Sequence, residues 1–331
     1  MLNVAVIGLG AISQTHIEAI HRMQNARLAA VCDIDIDKKG NVPGVPFYTD
    51  IDTMCREVKL DCVHICLPHY LHVPVAQKLA DYGIHIFMEK PAGLNTQDVQ
   101  QLLEIQRNGK IKLGICLQHR YDKTTICARH LITSGRFGAL RGMRAMVAWD
   151  RTEGYYSRDP WRRTIRQSGG GVMLSQAIHT LDLMLYLGGE VEWVKGLAGN
   201  LLLENIEVED TATGCIHFCS GINGVFYSTV THCRNDSVEL ELVFEKKVLL
   251  LAHEKLYTVE EEGPAEILAE NDRICLGKNY YGSGHYRAIS SFYQSISENT
   301  DDYIPVSEGM RSVRLIDAVM ESANRNTRVT V

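Results

Sequence analysis

No run of apolar residues in this sequence approaches the ~20 needed to span a bilayer. No Cys-x-x-Cys pair occurs either, which removes the commonest spacing of zinc and thiol-redox sites. Proline is scarce, at 8 of 331 residues, and no Pro-, Gly- or Ser-rich segment interrupts the chain, so disordered linkers and low-complexity tails are excluded. A basic excess is missing too. The 34 Lys and Arg face 40 Asp and Glu for a net charge of −6, leaving no basic face for a sequence-independent hold on nucleic acid. Met1-Leu2-Asn3 enters a strand pattern directly, without a basic n-region or a signal h-region. The ten cysteines (32, 55, 62, 66, 116, 127, 215, 219, 233 and 275) fall mostly inside apolar runs and read as buried thiols in a reducing compartment. The expectation is a cytoplasmic protein with no membrane contact, no nucleic-acid partner and no metal.

At ~150 residues per domain the length suggests two domains, and the pattern changes near residue 120. Before it, short β-branched runs (3–7, 28–32, 62–66, 85–88, 113–116) alternate with helical patterns (12–23, 71–82, 96–107), the last following Asn95 as an N-cap. This predicts a doubly wound parallel sheet over 1–120. Residues 121–331 read as α+β: a helix at 123–133, strands such as 211–218 and 225–232 around the Gly221-Ile222-Asn223-Gly224 turn, a helix at 172–187, and two closing helices at 285–297 and 307–323.

Gly8-Leu9-Gly10-Ala11-Ile12-Ser13 follows the first strand and opens a helix. In that context the first glycine makes a tight turn and the second admits a pyrophosphate to the backbone, where helix N-terminal amides favour an anion. Ser13 stands where a third Gly or Ala is usual and is small enough for the same close packing. Asp33 ends the second strand 25 residues after Gly8, where a carboxylate accepts from adenosine ribose hydroxyls and repels a 2′-phosphate. NAD is therefore expected in preference to NADP.

Further along come Leu67-Pro68-His69-Tyr70-Leu71-His72, then Met88-Glu89-Lys90-Pro91, then Gly169-Gly170-Gly171 leading to His179 and Asp182. In this order, with the Gly loop, they resemble the glucose-fructose oxidoreductase, inositol dehydrogenase and MocA family over essentially the whole chain. The resemblance implies an N-terminal Rossmann domain and a C-terminal domain whose large open, mainly antiparallel sheet makes homodimer or homotetramer contacts. It further implies hydride transfer between NAD and a hydroxyl-bearing carbon of a sugar, glycoside or cyclitol. Gly8, Gly10, Ala11, Ile12, Asp33, Leu67, Pro68, His72, Glu89 and Lys90 fall on positions that line the dinucleotide in that family, while His69 departs from the common Asn. The peptide before Pro91 is often cis in relatives.

Oxidising a secondary alcohol needs a group that takes the hydroxyl proton while the C–H faces the nicotinamide. An ordinary lysine holds its proton at neutral pH. Many relatives place an Asp four residues before the histidine, but here Ser175 is followed by Gln176. The base role therefore goes to His179, with Lys90 as its positioning and electrostatic partner. Ser175 and Asp182 share the helical face of His179, and Asp182 either fixes its tautomer or lines the domain interface. Arg151 to Arg166 holds five arginines against two acids, with Tyr155, Tyr156 and Trp161 interleaved. Aromatic faces suit sugar C–H surfaces and guanidinium forks suit hydroxyls or anions; a surface or subunit-interface loop is the other reading of this stretch. Tyr156, Trp161, Arg162, Ser175, Gln176 and Asp182, with Arg120 and Tyr281 to His285, are the expected substrate contacts, and Trp161 and Arg162 also match positions near the nicotinamide. Two rival functions remain: an enzyme that retains NAD and eliminates a glycosidic group through a transient keto-sugar, and a non-catalytic sugar- or NAD-sensing regulator.

Overall fold

The computed structural model describes residues 1–151, 153–260, 264–272 and 283–331. They divide into two units: the described parts of 1–93, 97–121 and 273–310, and those of 94–96, 122–272 and 311–331. The chain passes from the first unit to the second between Tyr121 and Asp122. The late return of the chain to the first unit has no counterpart in the linear division at 120, because it rests on one helix face described below.

Among the described residues the helices are α1 (Ser13–His21), α2 (Ile51–Glu57), α3 (His72–Asp81), α4 (Thr96–Gly109), α5 (Lys123–Ser134), α6 (Glu153–Arg158), α7 (Ile165–Ser168), α8 (Ile178–Gly188), α9 (Gly284–Glu298) and α10 (Val306–Arg325). A π-helical turn at Met173–Ala177 leads into α8. The first unit carries β1 (Leu2–Ile7), β2 (Ala26–Cys32), β3 (Phe47–Tyr48), β4 (Cys62–Ile65), β5 (His85–Glu89) and β6 (Leu113–Cys116), all parallel, in the order β3-β2-β1-β4-β5-β6. Every residue of β4, a central strand, and of β6, at one edge of the sheet, is buried. The order reverses direction between β1 and β4, and a sheet of this kind binds its ligand beyond the carboxyl ends of the strands at that point. Neither β3 nor α2 is legible as a period: two residues carry no alternation, and seven give under two helical turns.

The helix α9 explains the return of the chain. Its buried face, Ala288, Ile289, Phe292 and Tyr293, belongs to the same apolar cluster as Val4, Val6, Ile20 and Phe87. Phe292 stands 5.3 Å from the Phe87 ring and 5.2 Å from that of Tyr303.

The second unit carries β7 (Leu140–Ala148), β8 (Val191–Gly199), β9 (Thr211–Phe218), β10 (Asn223–Thr229), β11 (Glu239–Phe244), β12 (Val248–Ala252), β13 (Lys255–Val259), β14 (Ile267–Glu270) and β15 (Val329–Thr330) in one sheet, ordered β14-β13-β12-β11-β7-β10-β9-β8-β15. The sheet is antiparallel except where β10 runs parallel to β7. The helices α5 and α8 pack against it. Alternation along β8 and β10 leaves Leu197, Val225 and Tyr227 exposed.

Of the cysteines, 32, 62, 66 and 116 are buried as expected. Cys215, Cys219 and Cys233 are exposed instead, on the solvent side of a half-buried strand or past strand ends, and Cys275 lies outside the described residues.

Phe292→Ala removes a fully buried ring from the cluster that holds α9, and should cost about 3–5 kcal/mol in chemical unfolding. A loss under ~1 kcal/mol would show that α9 contributes little to the first unit.

Candidate active site

Beyond the carboxyl end of β1 the backbone turns at Gly8, whose φ is +89°. A Cβ there would stand 2.6 Å from the Cys66 carbonyl oxygen, so the position excludes any side chain. The Gly8 N–H donates to Cys32 O at 2.8 Å, and Ser13 Oγ donates to Gly10 O at 2.7 Å, using the serine hydroxyl to close the loop. Gly10 and Ala11 are exposed ahead of α1, whose N-terminus has no side-chain cap. Orphan helix amides behind an open glycine suit a pyrophosphate.

Asp33 is buried at the end of β2. Its Oδ2 accepts from the Leu9 N–H at 2.7 Å and from the Lys38 ammonium at 2.9 Å, and its Oδ1 from the Asp35 N–H at 2.9 Å. Burial works to raise this carboxyl, but those two N–H groups and Lys38 together hold it below its ordinary value. Lys38, which the turn after β2 folds back onto Asp33, carries no signal in the sequence.

The turns after β4 and β5 are joined by one buried ring. His72 Nδ1 stands 2.9 Å from Pro91 O and Nε2 3.0 Å from Leu67 O. Burial lowers its pKa, and a neutral ring donates to one carbonyl while packing against the other. Within the structure His72 therefore ties the Leu67-Pro68 turn to the segment after Lys90. The Lys90–Pro91 peptide is cis, and Lys90 itself is partly exposed.

Glu89 points inward. Its Oε1 stands 2.9 Å from His16 Nε2 and 3.5 Å from His285 Nε2, and its Oε2 accepts from the Lys90 N–H at 3.2 Å. Burial alone would raise this carboxyl, but the hydrogen bonds from His16 and His285 hold it well below the usual carboxylate range. His285, expected as a substrate contact, is buried in this cluster, and Arg120 is buried with its Nη1 on Glu308 at 2.7 Å. Tyr281 lies outside the described residues.

In the second unit the glycine run serves close packing. A Cβ on Gly171 would overlap the Glu209 backbone, 1.8 Å from its carbonyl oxygen. The buried Glu209 carboxylate accepts from the N–H of Gly171 at 2.7 Å and of Met173 at 3.0 Å, anchoring the start of the helical stretch that carries His179. Burial raises this carboxyl against the pull of those two donors. Because the turn at Met173–Ala177 is π-helical, with more residues per turn than an α-helix, an offset of four there stops short of a full turn, and Ser175 lies at a different angle to His179 than α-helical spacing gives. Both are partly exposed. Asp182 is buried and accepts from Ser312 Oγ at 3.0 Å, and Gln176 Nε2 donates to the Tyr155 hydroxyl at 3.1 Å.

The arginine-rich stretch forms a stack. The Arg162 guanidinium lies 4.2 Å from the Trp161 ring centre and 4.9 Å from that of Tyr155, and Arg151 lies 5.5 Å from Tyr155 and 4.8 Å from Trp149. Tyr156 is buried, and burial pushes its hydroxyl pKa up.

A glycine turn before a helix N-terminus, a carboxylate at the end of the next strand and a lysine beyond β5, at the carboxyl edge of a sheet in this strand order, define a nicotinamide-dinucleotide-binding oxidoreductase. The chain belongs to the GFO/IDH/MocA oxidoreductase family: the family model described as "Oxidoreductase family, NAD-binding Rossmann fold" matches residues 2–115, and the GFO/IDH/MocA C-terminal domain matches residues 126–250. An inositol 2-dehydrogenase of Rhizobium meliloti is 24% identical over 98% of both chains. A 1-carboxy-3-chloro-3,4-dihydroxycyclo hexa-1,5-diene dehydrogenase of Comamonas testosteroni is 28% identical, the match taking in 72% of this chain and 60% of that one. Among solved structures, the WlbA dehydrogenase from Bordetella pertussis in complex with NADH and UDP-GlcNAcA superposes with a TM-score of 0.88 at 23% identity, over 100% of this chain and 97% of that one.

NADH should bind more tightly than NADPH, and Asp33→Ala should weaken NADH about 10- to 100-fold, the worth of hydrogen bonds to a charged acceptor. Since the Asp33 pKa is depressed, its acceptor capacity is present above the ordinary carboxylate value and lost only as pH falls below it. NADH affinity should therefore stay flat from about pH 5 to 8. A fluorescence titration checks both; equal affinity for the two dinucleotides would remove the argument from Asp33.

Proposed function

We propose that the protein is an NAD-dependent dehydrogenase or reductase acting on a hydroxyl-bearing carbon of a sugar, glycoside or cyclitol. The observation that carries this reading is Lys90, partly exposed beyond β5, with Glu89 beneath it turned inward. The inositol dehydrogenase relative supports the cyclitol end of the range and the WlbA structure the sugar end. When bound, the nicotinamide supplies a hydride acceptor or donor. The chain itself supplies the rest. Gly8, Gly10, Ala11 and Ile12 take the pyrophosphate, Asp33 the adenosine ribose, and Leu67, Pro68 and His72 shape the adjoining wall. The Lys90 ammonium donates to the substrate oxygen and favours its alkoxide, while His179 takes the proton. The buried Gln176 Oε1, which has no partner among the described residues, is an acceptor suited to a substrate hydroxyl. Trp161 and Arg162, already stacked, present a face for the ring C–H surface and donors for its polar groups, with Ser175 as a further hydroxyl contact.

Lys90→Ala and His179→Ala should each lower kcat at least ~100-fold while leaving NADH affinity within a few-fold. A screen of sugars, cyclitols and glycosides, read for NADH absorbance and for glycoside cleavage, checks the class. Near-normal kcat in both variants would overturn the assignment, cleavage without NADH would favour the NAD-retaining mechanism, and silence in both channels the regulatory one.

We further infer that the chain self-associates through the exposed face of the second sheet. Leu197, Thr213 and Tyr227 form one register row across β8, β9 and β10, and Lys195, Cys215 and Val225 another. With Leu197 and Tyr227 exposed, each row mixes apolar and polar groups as subunit interfaces do. Light scattering should show an oligomer that Tyr227→Asp converts to monomer; a monomeric wild-type chain would exclude it. No helix among the described residues is long and apolar enough to cross a membrane, and the nine described cysteines are free, which suits a reducing, cytoplasmic compartment.

A further inference from the structure

We propose that His16, Glu89, Cys116 and His285 form a binding site for one divalent metal ion of the zinc class. The four come from α1, β5, β6 and α9, all are buried, and their donor atoms lie within 4.8 Å of one another. His16 Nε2 and His285 Nε2 already stand 2.9 and 3.5 Å from the same carboxylate oxygen. Tetrahedral coordination at zinc–nitrogen and zinc–oxygen lengths needs ligand separations of about 3.3 Å, so only small side-chain movements convert the hydrogen-bonded cluster into a coordination shell.

The donor set selects the metal. Two imidazole nitrogens, a sulfur and a single carboxylate suit a borderline-soft ion, whereas calcium and magnesium require shells built of oxygen. Charge points the same way. A thiolate and a carboxylate together balance a dication, so the loaded site is neutral, and a neutral assembly is the form that a fully buried position tolerates. Without metal, burial and the Glu89 charge push the Cys116 thiol well above its ordinary value, so the sulfur keeps its proton. Binding forms the metal–sulfur bond and releases that proton to solvent.

A supporting chain lies behind the ligands. His16 Nδ1 stands 2.8 Å from His64 Nδ1, and His64 Nε2 stands 2.7 Å from the Tyr293 hydroxyl. In the metal-free arrangement Tyr293 donates to His64 Nε2, His64 Nδ1–H donates to His16 Nδ1, and His16 Nε2–H donates to Glu89. A metal needs the lone pair of His16 Nε2. Both imidazoles then exchange tautomers, His16 Nδ1–H donating to His64 Nδ1 and His64 Nε2–H to the Tyr293 oxygen, with no proton gained or lost along the chain. An imidazole ligand whose second nitrogen is held in this way is oriented for coordination.

The test uses the full chain, freed of metal by a chelator and titrated with zinc and with cobalt(II). One equivalent should bind with a dissociation constant of about 1 μM or tighter. The cobalt form should show tetrahedral ligand-field bands and a near-ultraviolet thiolate-to-cobalt charge-transfer band. Cys116→Ser should abolish that band and weaken zinc at least ~10-fold, with an unchanged circular dichroism spectrum. Weaker binding, a cobalt spectrum without the sulfur band, or a Cys116→Ser variant that binds as wild type would overturn the proposal. Should the variant not fold, the wild-type cobalt spectrum decides alone. None of these readouts uses turnover, so failure here leaves the oxidoreductase reading standing.

Discussion

The first unit is organised around a negative charge that its interior has to hold. Glu89 is buried at the end of the fifth strand, and an unpaired carboxylate there would cost several kcal/mol. It is held by His16 from the helix behind the phosphate loop, by His285 from a helix that arrives some two hundred residues later, and by the N–H of Lys90. Satisfying one carboxylate thus draws together the glycine loop, the strand end that carries Lys90 and the late helix α9. The returning helix also brings Phe292 and Tyr293 into the apolar cluster, so polar and apolar demands are met by the same element.

The remaining features of the cofactor edge follow from the parallel sheet. With strand order β3-β2-β1-β4-β5-β6, the ends of β1, β2, β4 and β5 flank the reversal, and Gly8, Asp33, Leu67 and Lys90 each stand at or just beyond one of them. Asp33 is anchored by the Leu9 and Asp35 amides, which fix the orientation of its carboxylate. In the second unit Glu209 does comparable work. Its two oxygens take two amides at the start of the stretch bearing His179, and its backbone approaches so closely that Gly171 admits no side chain.

Much of this was legible in the sequence. The five longer parallel strands showed as β-branched runs because strands covered on both faces are mostly apolar, and the hairpin at Gly221 to Gly224 showed because its flanking strands alternate. Gly8 and Asp33 stood out because a turn with positive φ and a carboxylate at a fixed interval are local requirements. His16, Lys38, His64 and Glu209 did not stand out. A histidine in an amphipathic helix or a short strand, a lysine in a turn and a glutamate in an acidic segment between strands carry no local signature; their roles arise from partners between 5 and 229 residues away in sequence. The N-terminus of α4 makes the same point. There the Thr96 N–H is met by Asp317, 221 residues on, a partner no local pattern announces.

By itself, then, the sequence determined the alternation that builds the two sheets, the glycine turn and the carboxylate that ends the next strand, and membership of an oxidoreductase family, because each of these is written in spacing along one short segment. Only the tertiary structure decided that Glu89 faces inward, that His285 and Arg120 are buried and face Glu89 and Glu308 respectively, that the first turn before His179 is widened, and that α9 belongs with the first unit. Those outcomes depend on which distant groups can neutralise a buried charge or fill an apolar face, and that competition is settled only when the whole chain has packed.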